Sequence, residues 1–103
     1  FNLADAGREA DQILPKDAVV IAPYGGDTAF LYQINRPGWA IMVSNMEDMK
    51  KRYGVTHYVS VNLNSEAKDL MERYKVLEQN PKFVILDVRE ENPKFQKLPK
   101  TQI

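Results

Sequence analysis

None of the 103 residues is a cysteine. Disulfide frameworks, thiolate zinc sites and cysteine nucleophiles are therefore excluded. The same absence fits either side of a membrane, so it does not decide the redox compartment. A single histidine, His57, nearly excludes a Ser-His-Asp relay or a two-histidine metal site within this chain. Neither sign of charge is in excess, with 14 Lys plus Arg against 14 Asp plus Glu. No basic footprint for nucleic acid is available, and no nucleic-acid partner is expected. No apolar run approaches the roughly 20 residues of a membrane helix, and no signal peptide is visible. The chain starts at Phe1, not Met, and is expected to be a piece of a longer protein.

What is present reads as an ordinary globular domain. Hydrophobic residues make up 44% and charged residues 27%, a balance that argues against disorder. The length suits one domain, able to bury on the order of two-thirds of its unfolded surface. The expectation is a single α/β domain over residues 1–88 and an extended, polar, proline-punctuated tail over 89–103.

Leu3, Ala6, Ala10, Ile13 and Leu14 recur at helical spacing among charged residues, which predicts an amphipathic helix stopped before Pro15. Residues 19–22 form a continuous apolar run, the signature of a strand covered on both faces. Pro23 to Gly26 break that strand, and Asp27 or Thr28 can cap a short helix burying Phe30, Leu31 and Ile34. Asn35-Arg36-Pro37-Gly38 ends it, and residues 39–43 read as a second strand. Ser44 and Glu47 have capping-box spacing for a third helix, with Met46, Met49 and Tyr53 inward and Gly54 as its left-handed cap. The charges of residues 47–52 read as a solvated face. Residues 56–61 predict a third strand. Asn64 or Ser65 caps a fourth helix with Ala67, Leu70, Met71 and Tyr74 inward. Val76-Leu77 can continue that helix, but a short strand over 75–78, hairpinned onto a strand over 83–88, is preferred.

Strands alternating with helices imply a three-layer, Rossmann-like α/β sandwich. Its sheet would be mostly parallel, with four or five strands, helices on both faces and a C-terminal antiparallel hairpin. Ligands of such sheets gather at the carboxyl ends of the strands. That edge would collect residues 23–28, 44–45 and 62–65.

The Gly25-Gly26-Asp27-Thr28 loop has two readings, a ligand loop or a turn with a cap. Two glycines let backbone amides approach a ligand. The loop lacks both the dinucleotide glycine spacing and the Gly-Lys-Ser/Thr of a nucleotide-phosphate loop, however. Response-regulator chemistry fails because Ala22-Pro23 and Asn62-Leu63 stand where its acids belong. Tyr24, Tyr32 and Trp39 can stack on a sugar ring or anchor the core. Arg36 can bind a phosphate or carboxylate, or cover a helix C-terminus. His57 and Tyr58 face opposite sides of one strand, and the one under a helix layer is expected to be a satisfied core residue. The sequence positions no pair of carboxylates as general acid and base.

The segments "ADQILPKDAVVIAPYGGDTAFLYQINRPGW", "YGVTHYVSVN" and "KFVILDV", with a helix between the first two, carry a resemblance. Together they resemble the soluble C-terminal extracytoplasmic domain of polytopic bacterial glycosyltransferases. That class is related to dolichyl-phosphate-mannose–protein mannosyltransferases and lipid A aminoarabinose transferases. The resemblance spans about residues 4–88, and "LYQINRPGW" and the Gly-Val-Thr-His-Tyr-Val strand entry are its most specific parts. It implies a non-catalytic domain at the extracytoplasmic face of the cell membrane, beside the transmembrane portion of its own parent chain. The parent would transfer a sugar from a polyprenyl-phosphate donor, and its catalytic acids and any metal would lie in membrane-portion loops outside this chain. No catalytic residue, metal ligand or cofactor is therefore expected here. A lipid-linked sugar or glycan acceptor would meet Tyr24, Gly25, Gly26, Asp27, Thr28, Arg36 and Trp39. Asp27 would accept from sugar hydroxyls, Tyr24 or Trp39 would stack, and Arg36 would meet a phosphate. The alternatives are a stand-alone Rossmann-like small-molecule or nucleotide-binding module using the same loop, and a protein-interaction domain.

Overall fold

The computed structural model describes residues 2–95. Four helices and five strands follow in the order α1 (Leu3–Ile13), β1 (Val20–Ile21), α2 (Ala29–Ile34), β2 (Gly38–Trp39), α3 (Met46–Tyr53), β3 (His57–Ser60), α4 (Ser65–Arg73), β4 (Tyr74–Gln79) and β5 (Val84–Glu91). The fold is mixed α/β, with one five-stranded sheet in the order β2-β1-β3-β5-β4.

Local chemistry sets most helix ends. Asn2, Asn45 and Asn64 each accept a backbone N–H three residues on, from Asp5, Asp48 and Ala67. The cap of α3 is therefore Asn45, one residue beyond the expected Ser44. The Ser44 hydroxyl instead donates to the Asp48 carboxylate at 2.6 Å. Asn35 and Gly54 close α2 and α3 in the left-handed region. Tyr74, expected on the inward face of α4, is the first residue of β4 and is still buried.

The sheet corrects the mostly parallel expectation. β1 pairs in parallel with β2 and β3, but β5 pairs antiparallel with both β3 and β4. The turn between β4 and β5 explains the reversal. Asn80 Oδ1 accepts from the amides of Lys82 and Phe83, and its own amide donates to the Phe83 carbonyl. So short a link can only join antiparallel neighbours. Residues 84–88 are buried throughout, so this strand takes an interior place, while β4, with alternating exposure, takes the edge.

β2 is shorter than the predicted strand over 39–43. β1 has already turned at Tyr24, whose carbonyl accepts from the Asp27 amide, so residues 40–43 have no extended neighbour to pair with. Ile41 and Val43 are accordingly exposed. β5 runs three residues past the expected domain end at residue 88. Asn92 then donates from its amide to the Arg73 carbonyl and from its side chain to the Met71 carbonyl, tying this end to α4. Of the expected tail, residues 96–103 lie outside the described residues.

Alternation along the strands sends side chains to two core clusters. Val20, Val59 and Ile85 join Ala6, Ala10, Phe30 and Ile34, which come from α1 and α2. Ile21, Tyr58, Val84, Leu86 and Val88 join Met46, Met49, Ala67 and Leu70, which come from α3 and α4. Gly7 is a contact point between α1 and the Gln33 region of α2, since a Cβ there would stand 2.2 Å from Gln33 Cβ.

Candidate functional site

Because β1, β2 and β3 are parallel, their carboxyl ends share one edge, and residues 22–28, 40–45 and 61–64 leave from it. Gly25 and Gly26 take φ of +59° and +80°, values that L side chains rarely adopt, and nothing lies within 4 Å of where their Cβ atoms would be. The Asp27 carboxylate accepts from the Ala29 amide at 2.8 Å and so caps α2. Thr28 makes no side-chain cap. Tyr24 packs against the α1/α2 cluster. The turn-and-cap reading of this loop thus has its geometry, and the glycine amides remain on an open surface.

Arg36 is built into the protein. Its side chain is 3% exposed. Nε donates to the Pro15 carbonyl, Nη2 to the carbonyls of Asp11 and Leu14, and Nη1 to those of Ile34 and Asn35, at 2.9–3.1 Å. Nη1 also pairs with the Asp11 carboxylate, which holds the Asp11 carboxyl below its ordinary range. One guanidinium therefore satisfies the C-terminal carbonyls of α1 and α2 together. Trp39 lies on the other face of the sheet, against the α3/α4 cluster, with its ring centroid 4.5 Å from that of Tyr53. The structure thus brings Tyr24, Gly25, Gly26, Asp27 and Thr28 together as one loop. It sets the Arg36 guanidinium among carbonyls and Trp39 on a different face. Thr28 and Arg36 do share a shallow hollow of about 460 Å³ with the exposed Tyr32.

A second feature escaped the sequence reading. Between α3 and α4 lies a cleft of about 400 Å³, lined by Met46 and Leu70 and by Glu47, Glu66, Asp69 and Arg73. Two tyrosines rising from the core fix two of its carboxylates. Tyr58, fully buried on β3, donates its hydroxyl to Glu66 at 2.7 Å, and Tyr74 donates to Glu47. The bond from Tyr74, helped by Lys50, keeps the Glu47 carboxyl below its usual value. Burial, with those carboxylates, pushes both phenols upward. The cleft offers fixed acceptors for hydroxyl or ammonium donors and no activated nucleophile. Its only sequence signal was the need of a buried tyrosine hydroxyl for a partner.

At the opposite edge of the sheet, His57 is fully buried and its register partner on β5 is Asp87. Asp87 is held ionised by Arg89, whose side chain donates to both carboxylate oxygens. His57 is thus a core histidine, but an incompletely satisfied one, since its Nε2 has no hydrogen-bond partner among the described residues. Among those residues no group of three His, Asp or Glu side chains could hold a metal ion. Nor is any helix among them long and apolar enough to cross a membrane.

Compared with known proteins, the chain matches no family model, no curated protein and no solved structure.

Proposed function

We propose that this chain is a non-catalytic, extracytoplasmic domain of a polytopic membrane glycosyltransferase that transfers a sugar from a polyprenyl-phosphate donor. In this reading the sheet and its two helix pairs form a small Rossmann-like sandwich beside the transmembrane portion of the parent chain. The carboxyl edge of the parallel strands helps shape the acceptor site. One observation carries the proposal. The resembling segment "LYQINRPGW" (residues 31–39) is a single structural joint, comprising the end of α2, the left-handed Asn35, the Arg36 clasp and β2. Its unusual residues thus have work to do in a domain that performs no chemistry. Because the clasp also grips the last turn of α1, a membrane segment leading into α1 would hold the sheet at a set angle.

Of the seven residues expected at substrate, the proposal keeps the contiguous loop. Tyr24 offers a ring face, Asp27 a carboxylate acceptor, and Gly25, Gly26 and Thr28 an accessible backbone. Arg36 would have to abandon five carbonyls to meet a phosphate, so its contribution is to hold the joint. Trp39 serves on the other face as a packing partner of Tyr53.

Fusing a reporter active only outside the cytoplasm after residue 95 of the full-length protein, and fractionating the membranes, tests the location. Membrane retention with an active reporter is expected; a soluble cytoplasmic product overturns the reading. Asp27→Asn and Tyr24→Ala in the full-length enzyme test the contact, with a raised acceptor KM expected at normal expression. Should the parent prove soluble, calorimetric titration of the domain with nucleotides decides the rival, and micromolar binding would establish it.

A further inference from the structure

The β3–β5 pairing is the seam between two halves of the sheet, the parallel β2-β1-β3 half and the β5-β4 hairpin. His57 and Asp87 face each other at the end of that seam nearest the α1–β1 loop. The imidazole is held on one side only. Nδ1 lies 2.7 Å from the Thr56 hydroxyl, while Nε2 stands 3.9 Å from Asp87 Oδ2, beyond hydrogen-bond reach. Asp87 is itself held in place from the other side by Arg89. Its Oδ1 takes the amide and Nε of Arg89, each at 3.0 Å, and its Oδ2 takes Nη2 at 2.9 Å.

We infer that His57 is an acid-sensitive latch on this seam: the neutral imidazole keeps β3 and β5 closed, and its protonation opens them around His57 and Asp87. The inference is independent of the glycosyltransferase reading.

A protonated ring carries two N–H donors. Nδ1–H can donate to Thr56 Oγ1, whose own hydroxyl then turns to the Val19 carbonyl, 3.3 Å away. Nε2–H would face Asp87 Oδ2 across 3.9 Å, with the carboxylate already drawn to Arg89 by three bonds. The surrounding charges act in both directions. Asp87 on β5 and Asp17 in the α1–β1 loop attract the cation, whereas Arg89 on β5 and Arg36 in the α2–β2 joint repel it. Burial decides the balance, because a buried cation short of a hydrogen bond is costly, and it pushes the His57 pKa below the ordinary histidine value. The unfolded chain therefore binds the proton first. Stability from the neutral ring is fully present above the unfolded histidine value of about 6.5 and declines as pH falls from there to the folded value. Within that window the folding constant falls up to about tenfold per pH unit. Asp11, Glu47, Asp48 and Asp87 are all held below their ordinary carboxyl values, so they stay ionised at the pH where the unfolded histidine first binds its proton.

Because His57 is the sole histidine, its imidazole NMR signals need no assignment by mutation. The test is a titration of the 103-residue chain from pH 8 to 4.5, with urea midpoints and amide protection factors measured at each step. Three results are expected: imidazole titration below the value of an unstructured histidine, a urea midpoint that drops with acid, and early loss of protection at Val88, whose amide bonds the Thr56 carbonyl. His57→Phe should flatten the urea dependence between pH 7 and 5. An imidazole that titrates at or above the ordinary value, or a variant with the parent's slope, overturns the latch. If His57→Phe does not fold, His57→Gln and the parent's own titration decide.

Discussion

Replacing Arg36 with alanine gives the sharpest test of the joint. Five carbonyls share this guanidinium, and the bonds to Leu14 and Ile34 are wholly buried. Truncation leaves those two buried acceptors without their donor, at about 1–3 kcal/mol each. The carbonyls of Asp11, Pro15 and Asn35 are only partly buried and can turn to water, so they add little. The expected loss is therefore roughly 2–6 kcal/mol, a large share of the 5–15 kcal/mol typical of a whole domain. Urea unfolding followed by the fluorescence of Trp39, the single tryptophan, measures it directly. Arg36→Lys should recover less than half of the loss, because one ammonium cannot span carbonyls on two helices as the planar fork does. Asp11→Asn should cost clearly less than Arg36→Ala, since the clasp is mainly made to backbone. A loss under about 0.5 kcal/mol for Arg36→Ala, or parental stability for Arg36→Lys, would refute the reasoning. The guanidinium would then be available to a ligand.

Gly38→Ala places a Cβ 1.7 Å from the Val20 carbonyl oxygen, so β2 should detach and the Trp39 emission shift to that of a solvated indole. Gly25→Ala, with open space around it but a positive φ, should cost only about 1 kcal/mol by the same urea assay. Tyr58→Phe removes a buried hydroxyl whose partner Glu66 can turn to water, so the expected loss is about 1 kcal/mol in urea unfolding. Asp87 is held below its ordinary value, chiefly by Arg89. Its contribution is present above the unfolded aspartate value of about 3.9 and lost as pH falls through the depressed folded value. Asp87→Asn should therefore flatten part of the acid limb of the urea midpoints below about pH 3.9.

Much of this domain follows from local rules that need no tertiary information. Helical spacing of alanines and leucines marks α1, capping residues mark the starts of α3 (to within one residue) and α4, and Gly54 marks an end that only a left-handed residue makes cheaply. The apolar run from Phe83 to Leu86, carried on to Val88, announces a strong strand. The Gly25-Gly26 turn and the Asp27 cap are legible for the same reason, since their chemistry closes within four residues.

What the sequence could not decide is where distant segments meet. Residues 39–43 have strand composition, yet pairing stops at Trp39 because β1 has already turned away. Arg36 could bind an anion or cover a helix end; proximity to α1, more than twenty residues earlier, selects the second. The direction of β5 and its place between β3 and β4, the bonds from Tyr58 and Tyr74 to carboxylates on separate helices, and the His57–Asp87 contact all arise from packing. Local propensity is a property of neighbours along the chain and can be read there. Partner choice among buried polar groups depends on which surfaces the core brings together, and only the tertiary structure makes that choice.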